Sequence, residues 1–524
     1  MSFEPKVRHS VRYLQEQYDN GNKKPLEDLV RAWQGIQALP ATDKRSFFVL
    51  GGYHGEPFAY RQAVDNLSTT DQYTYWGGYC NHGNVLFPTW HRVYVYKIEQ
   101  ALQSIVPDVT MPFWDETSEE TLKHGIPTVL TQEQFELDGK LIDNPLRSFV
   151  LPEALSDQLP GDDQDYVKPA GYETVRYPLS GLVGTPEARA ATDAHNAKYP
   201  HSSVNTELLN QNVTAWLHGA GPHTSGPSPS DPNPKKNGIY WQFKRCLKTP
   251  NYTVFSNTTS AGQWHLDHPD RIPVTPLEAP HNDIHLSVGG FDLPGAGESG
   301  QIAGANGDMG ENNTAGLDPI FFFHHCNVDR MFWLWQKQNG KTDKIEIIDG
   351  FYGTSSSDSQ GPTPGISPGT KLTLETPLYP FAKDNFGTIF TSNDCVNIEK
   401  DLGFTYGSGS LEKPAAPEEE VAGFSTQTLM VRGIDRAHFQ GSFVLLAYAT
   451  VASGKKYYLG HYSVLSRRNV VRCANCLTHQ EVIAHFSLSN VPADEVEGAT
   501  FSFDIQHRGP NLRENFIPDV VKLK

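Results

Sequence analysis

Histidines at helical spacing are the residues of this chain whose types and positions predict metal chemistry. His281 and His285 are four residues apart, so a helix would place both imidazoles on one face. Pro280 suits the first turn of that helix, where its missing N–H leaves no hydrogen bond unmade. A zinc protease of the HExxH type needs glutamate directly after the first histidine, and that position is Asn282. The pair predicts half of a metal site of another kind, with two surface histidines as the alternative.

A second histidine lies near the start of another predicted helix. Asp318 suits an N-cap and Pro319 a first helical residue. From His325 onward, apolar residues recur at helical spacing: Val328, Phe332 and Trp335. His325 should therefore face the core, where a buried imidazole needs a partner such as a metal ion. The alternative is one satisfied core histidine, with its neighbour His324 at the surface.

A third group comes earlier in the chain. His91 begins a helical pattern whose same-face residues are apolar: Val95, Ile98 and Leu102. His82 precedes His91 by nine residues on a predicted loop, and His54 follows the apolar stretch 47–50. Alone, His54 and His82 are weak evidence, but with His91 they make a set of three imidazoles.

Two sets of three imidazoles define the expected metal chemistry. Neutral nitrogen ligands without thiolate or carboxylate favour copper, whereas a di-iron site would use Glu-x-x-His pairs. Two metals that are each held by three histidines keep open positions facing one another. Such positions suit a bridging diatomic ligand, so the pattern predicts a dinuclear copper site that binds O2.

The composition excludes several classes of protein. The 524 residues include 43 Lys and Arg against 60 Asp and Glu, and a formal net charge of −17 offers no basic surface for nucleic acid. Mean hydropathy is −0.47, and no apolar run approaches the roughly 20 residues of a membrane span. Six cysteines are too few for a disulfide scaffold. The first residues lack the apolar stretch of a signal peptide, so a cytoplasmic location is expected.

The character of the sequence changes near residue 407 and predicts two domains joined by a linker. Residues 1–407 mix long helical patterns with Gly- and Pro-rich loops, which indicates a mainly α domain, a helical bundle around the metal site. Residues 408–420 are rich in proline, small residues and acid, as in an exposed linker open to proteolysis. In residues 421–524, period-two alternation predicts short strands and a β-sandwich. The strands are expected near 442–451, 456–465, 482–488 and 501–505.

Three of these stretches, in this order and spacing, resemble the type-3 copper proteins and within them the long fungal tyrosinases. They are WGGYCNHGNVLFPTWHR at 76–92, HNDIHLSVGG at 281–290 and DPIFFFHHCNVDR at 318–330. The resemblance implies that His54, His82 and His91 hold one copper. It also implies that His281, His285 and His325 hold the other, with His324 as a structural neighbour.

The same resemblance implies roles for three residues beside these histidines. Cys80 matches the cysteine that forms a thioether to the imidazole of His82, and a buried thiol is the alternative. Glu278 and Asn282 match a pair that positions a water to accept the proton of an incoming phenol. The chemistry supports that pair independently, because a phenol with a pKa of about 10 binds metal poorly until it ionises. The alternative for Glu278 is compensation of the helix N-terminus.

The C-terminal region resembles the lid domain of latent fungal tyrosinases. Tyr406 matches a tyrosine that packs on an N-terminal arginine, for which Arg8 is the candidate. Cys473 and Cys476 form a CxxC that is implicated in copper delivery, since soft sulfurs suit Cu(I). A redox pair or incidental thiols are the alternatives. The lid would place a side chain in the copper site, and three residues of one strand mark this plug region: Tyr462, Val464 and Leu465.

The resemblance thus implies a latent tyrosinase with two copper ions, activated by a protease that cuts the linker. Such an enzyme hydroxylates monophenols like L-tyrosine ortho to the hydroxyl, as in melanin biosynthesis. It also oxidises o-diphenols like L-DOPA to o-quinones with O2.

A catechol oxidase, which does not hydroxylate monophenols, is the nearest alternative, and Glu278 and Asn282 argue against it. A haemocyanin-like oxygen carrier is disfavoured by Cys80, the linker and the CxxC. A zinc hydrolase is disfavoured by six histidines without a metal-bound catalytic glutamate. The expected partners are small phenols and O2, and a homo-oligomer is left open.

Overall fold

The computed structural model describes most of the chain. The described residues are 4–55, 78–155, 167–219, 237–268, 271, 273–291, 302, 304–358, 365–367, 369–413, 425–439, 441–466, 481–507, 513–515 and 519–523. Within these ranges, no helix combines the length and the apolar composition needed to cross a bilayer.

Helices dominate the first 413 residues, which we call the helical part. In the described ranges these are α1 (Val11–Asp19), α2 (Lys24–Gln37), α3 (Phe47–Gly52), α4 (Phe87–Ile105), α5 (Glu119–His124), α6 (Pro186–Asn196), α7 (Ser202–His218), α8 (Ile239–Cys246), α9 (Tyr252–Ser256), α10 (Thr258–Asp267), α11 (Glu278–Gly289) and α12 (Ile320–Gln338). Short strands accompany them: β1 (Lys6–Arg8), β2 (Gln134–Leu137), β3 (Lys140–Asp143), β4 (Pro377–Ala382), β5 (Ile389–Thr391) and β6 (Phe404–Tyr406).

The long helices α4 and α12 pack against each other at the centre of this part. Helix α12 begins one residue later than predicted, but Asp318 still acts at its start, because its Oδ1 accepts from the Ile320 N–H at 3.1 Å. Helix α11 begins at Glu278, so Pro280 lies in the first turn as predicted. All the residues of α11 and α12 that were expected to face the core are buried. The predicted helical patterns therefore form the core that surrounds the histidines.

The C-terminal part is a two-sheet antiparallel sandwich, as expected. Its strands are β7 (Thr428–Asp435), β8 (Phe443–Thr450), β9 (Lys456–Val464), β10 (Glu481–Ser487), β11 (Thr500–His507), β12 (Arg513–Asn515) and β13 (Asp519–Leu523). One sheet has the order β10-β7-β13 and the other the order β12-β11-β8-β9. Apolar residues of both sheets, among them Leu445, Phe486 and Ile505, form a core of their own between the sheets.

The four-stranded sheet buries both of its faces. Phe443, Leu445 and Ala447 of β8 point into the sandwich core. The alternate residues Val444, Leu446 and Tyr448 belong instead to the core of the helical part. Because side chains alternate along a strand, this second face is the one that docks on the helices. We call it the docking face.

The two ends of the helical part are tied together around Arg8. Strand β1 pairs in parallel with β6, and Arg8 Nη1 donates to the Tyr406 hydroxyl at 3.2 Å, which confirms the predicted contact. Arg8 Nε also contacts Glu99 Oε2 at 2.8 Å, and the side chains of Arg8 and Glu99 are both buried. The region after β6 differs from the expected free linker. Ser410 N donates to Asp115 at 2.7 Å, and Ser410 O accepts from Arg330 at 2.7 Å. Residues 414–420 of the predicted linker lie outside the described residues.

Arg8→Met is expected to lower the free energy of unfolding by about 3 kcal/mol, because it leaves the buried Glu99 carboxylate without its cation. The measurement is urea unfolding of the full chain beside an Arg31→Met control. Arg31 pairs with Asp138 at 2.9 Å on the surface, and loss of such a pair costs at most about 1 kcal/mol. Equal destabilisation by the two substitutions would contradict the role given to Arg8.

Candidate metal centre

The first group of histidines comes from three neighbouring segments. His54 follows α3, His82 lies on the loop before α4, and His91 lies in the second turn of α4. Each offers a ring nitrogen within 4.8 Å of the others, and all three side chains are buried. The structure therefore brings together the three residues that the sequence grouped.

The second group comes from two helices. His281 and His285 lie one turn apart on α11, and His324 and His325 are adjacent on α12. Their ring nitrogens also lie within 4.8 Å of one another, and all are buried. This group has one member more than predicted.

The two groups face each other. The rings of His91 and His325 stack with centroids 4.5 Å apart. His82 lies 5.5 Å from His281, and His54 lies 6.4 Å from His285. Among the described residues, the ring contacts of His324 are with members of its own group. Three members of the second group therefore line the space between the groups, and His324 lies behind them.

Hydrogen bonds at Nδ1 fix the tautomer of four rings. These bonds run from His54 to Asn312 O at 3.0 Å, from His91 to Phe87 O at 2.8 Å, from His285 to Met309 O at 2.9 Å, and from His281 to Asn282 Oδ1 at 3.0 Å. A ring that donates from Nδ1 keeps a lone pair on Nε2, which is the usual arrangement around a bound metal. The Asn312 and Met309 carbonyls were missed by the sequence analysis, because they lie on an irregular segment without periodic pattern.

The Nε2 atoms are suited to ligate metal. Those of His91 and His281 are buried with no hydrogen-bond partner. The Nε2 atoms of His285 and His325 face each other at 3.3 Å. Burial lowers the pKa of His91 to about 3 and the pKa of His325 well below its usual value, so neutral rings are present at neutral pH. Buried imidazole nitrogens without a thiolate among them fit a pair of copper ions.

His324 has a different partner. Its Nδ1 contacts Glu116 Oε1 at 2.6 Å, and Asn327 Nδ2 donates to the other carboxylate oxygen at 3.1 Å. Burial raises the pKa of Glu116 well above its ordinary value and lowers the pKa of His324 to about 3. The sequence analysis did not find Glu116, which lies far from the histidines in the chain. This contact anchors His324 on the outer side of the second group.

Cys80 lies beside the first group. It is buried two residues before His82, and its Sγ accepts from Asn312 Nδ2 at 3.4 Å. Asn312 thus contacts both Cys80 and His54. The thioether between Cys80 and His82 stays a prediction.

Glu278 and Asn282 lie one turn apart on the same face of α11. Glu278 Oε1 accepts from Gly83 N at 2.8 Å, and its Oε2 accepts from Thr258 N at 2.8 Å and Thr258 Oγ1 at 2.9 Å. Burial raises the pKa of Glu278 despite these donors. Glu278 thereby joins the loop of His82 to α10 and α11.

The docking face of the sandwich reaches this centre. His461 Nε2 contacts Asp283 Oδ2 at 2.8 Å, and Asn312 N donates to Ser466 O at 3.3 Å. Of the predicted plug region, Leu465 belongs to the core of the helical part, whereas Val464 points into the sandwich core. Tyr462 is close enough to Glu278 that burial and this carboxylate raise the pKa of its phenol to about 12. Cys473 and Cys476 lie outside the described residues.

Comparisons with known proteins agree with this geometry. Residues 44–338 match the model of the common central domain of tyrosinase. A tyrosinase of Hahella sp. is 68% identical over 98% of this chain and 94% of its own length. A tyrosinase of Aspergillus oryzae is 44% identical over 94% of this chain and 90% of its own length. The solved structure of a Burkholderia thailandensis tyrosinase at low pH has a TM-score of 0.89 and 64% identity, covering 99% of this chain and 100% of that one.

Proposed function

The chain belongs to the tyrosinase family, and from this premise we propose that it is made as a latent enzyme whose sandwich covers the copper site. Its activity is that of a copper tyrosinase, which oxidises phenols with O2. The observation that carries the latent form is the docking face, which is buried in the core of the helical part and reaches α11 through His461.

We assign the ligands of the first copper to His54, His82 and His91, and those of the second to His281, His285 and His325. When bound, the two ions supply the activation of O2. The chain holds six buried imidazoles, and the Nδ1 bonds orient four of these rings before any metal arrives. Aromatic side chains, among them Phe87 and Phe321, pack on these rings and keep water out.

Glu278 and Asn282 are proposed to hold the water that receives the phenol proton. A phenol has a pKa of about 10, so a neighbouring base is needed at neutral pH. The raised pKa of Glu278 makes it a better proton acceptor than an exposed carboxylate. Three donors from Gly83 and Thr258 hold the carboxylate in place, which supports a positioning role.

Oxygen uptake tests the function directly. Copper-loaded full-length protein is assayed with L-tyrosine and L-DOPA, before and after limited proteolysis within 408–420. Uptake on both substrates that rises sharply after cleavage is the expected result. Uptake on L-DOPA alone would instead indicate a catechol oxidase, and full activity before cleavage would contradict the latent form.

The same proposal requires a protease that cuts this segment and so activates the chain. The oligomeric state and the cytoplasmic location stay predictions.

A thioether between Cys80 and His82 is expected to form when copper-loaded protein meets O2. The new bond joins Sγ to an imidazole carbon in place of the S–H and C–H bonds, and the two protons and two electrons released reduce O2 to hydrogen peroxide. Mass spectrometry of the peptide containing both residues should show the loss of two hydrogens. Cys80→Ser protein should keep the unmodified mass. Unchanged wild-type mass after full oxidation would refute the bond.

The role of Cys473 and Cys476 in copper delivery is proposed from the sequence alone.

A further inference from the structure

The carbonyl that orients His285 lies on a short turn with a buried ion pair of its own. His285 Nδ1 lies 2.9 Å from Met309 O, and Met309 is the middle residue of the turn Asp308–Gly310. The Asp308 Oδ1 and the Lys168 Nζ lie 3.1 Å apart, and their side chains are 1% and 3% exposed. A buried ion pair contributes little net stability, because taking two charges out of water is costly. Its place one residue before the Met309 carbonyl points to control of geometry.

The Asp308 carboxylate fixes this turn to the segment 168–181, which begins with Lys168. Its Oδ2 accepts from the Tyr172 hydroxyl at 2.7 Å and from Val175 N at 2.8 Å. Asp308 N also donates to Val175 O at 2.8 Å. The side chain and the backbone of Asp308 therefore both bind the segment, and the turn cannot shift without breaking these bonds.

The same segment and the same turn contact helix α11, which carries His285. Tyr177 N donates to Val288 O at 3.0 Å, near the end of α11. A Cβ at Gly289 would lie 1.8 Å from Gly310 N, so only glycine fits where the turn packs on the helix. The segment, the turn and the helix together set how the His285 ring meets the carbonyl that accepts from it.

We propose that Asp308 is a positioning residue for the second copper. Its carboxylate holds the turn so that Met309 O accepts from His285 Nδ1, which leaves the lone pair of His285 on Nε2 for the metal. The Lys168 ammonium provides the opposite charge that this buried carboxylate needs. Asp308 touches neither the metal nor the phenol and acts through the backbone. This role rests on the proposed assignment of His285 to the second copper.

Two double variants separate the acceptor oxygen of Asp308 from the ion pair. Lys168→Met/Asp308→Asn removes both charges but keeps an oxygen for Val175 N and the Tyr172 hydroxyl. Lys168→Met/Asp308→Ala removes both charges and that oxygen. Both variants lose the bond from Lys168 Nζ to Gly181 O, so they differ only in the side chain at position 308. Neither leaves a buried charge unpaired, so both are expected to fold, and circular dichroism checks this.

Copper retention by the uncleaved chain is the first measurement. The apo protein is loaded anaerobically with Cu(I) and titrated with a Cu(I) chelator, and the copper that stays bound is counted. The alanine double variant should lose one copper at about 10- to 100-fold lower chelator concentration than the asparagine double variant, which should follow the wild type. Equal retention by the two variants would overturn the role of Asp308. A wild-type chain that binds fewer than two coppers would contradict the copper centre itself and this role with it.

A second measurement needs no metal. Nitrogen NMR of apo protein with isotope-labelled histidine distinguishes a ring protonated at Nδ1 from a ring protonated at Nε2. The His285 signals, assigned by their absence from His285→Gln protein, should show the Nδ1–H tautomer in the wild type and in the asparagine double variant. The alanine double variant should populate both tautomers. If its His285 ring kept the Nδ1–H tautomer alone, Asp308 would have only a structural role and the positioning role would be refuted.

Discussion

Replacement of His325 by glutamine should remove one copper per chain and reduce oxygen uptake on L-DOPA on the order of a thousandfold. His325 stacks on His91 across the centre, and its Nε2 lies 3.3 Å from that of His285. Under the proposed assignment, its loss removes the ligand that α12 supplies to the second copper. Both metals are needed to activate O2 between them, so the activity should fall much further than the copper content.

The neighbouring His324 provides the matched control. His324→Gln can keep a hydrogen bond to Glu116, and its position behind the second group predicts that both coppers stay bound. Outer-sphere changes of this kind cost about 10- to 100-fold in metal affinity or activity. Metal analysis and oxygen uptake are measured on both variants after copper loading. If His324→Gln lost copper and His325→Gln retained it, the assignment of the adjacent pair would be reversed.

The histidines were predictable because helix geometry converts spacing into position. His281 and His285 had to share a face of α11, and the apolar residues after His91 and His325 pointed both rings inward. The bonding partners of the rings were not predictable. Asn312 and Met309 act through backbone carbonyls, which any residue type supplies, so their sequence carries no signal of that role.

The sandwich shows the same division between what the sequence determines and what only the assembled structure reveals. Alternation in β10 and β11 predicted one buried face per strand, and both strands are present. Strand β8 reads FVLLAYAT, an almost continuous apolar run, which is typical of a strand covered on both faces. The apolar sequence of β8 did not indicate what covers the second face of the strand, because that depends on how the helices pack. Likewise, the composition of residues 408–413 predicts exposure, yet Ser410 is bound to Asp115 and Arg330.

Val444→Asp is expected to activate the uncleaved chain. Val444 lies on the docking face and is fully buried, whereas the sandwich core uses the opposite side of β8. Its cross-strand neighbours are Ser463 and Gln506, so the adjacent strands offer no cation to the new carboxylate. Burying a polar group without a partner costs about 3 kcal/mol, enough to shift the docked-to-open ratio roughly a hundredfold. Oxygen uptake on L-DOPA without protease should rise about tenfold to a hundredfold.

Ser502→Asp is the matched control, and it distinguishes release of the sandwich from a general effect of an added negative charge. Ser502 pairs with Tyr448 and so lies on the same side of the same sheet, but it is exposed. An aspartate there meets water and should leave the chain latent. Circular dichroism checks that both variants stay folded, which is expected because neither residue belongs to the sandwich core. If folded Val444→Asp protein stayed as latent as Ser502→Asp, burial of the docking face would not be what holds the sandwich over the copper site. The latency would then have to depend on local contacts such as His461 with Asp283.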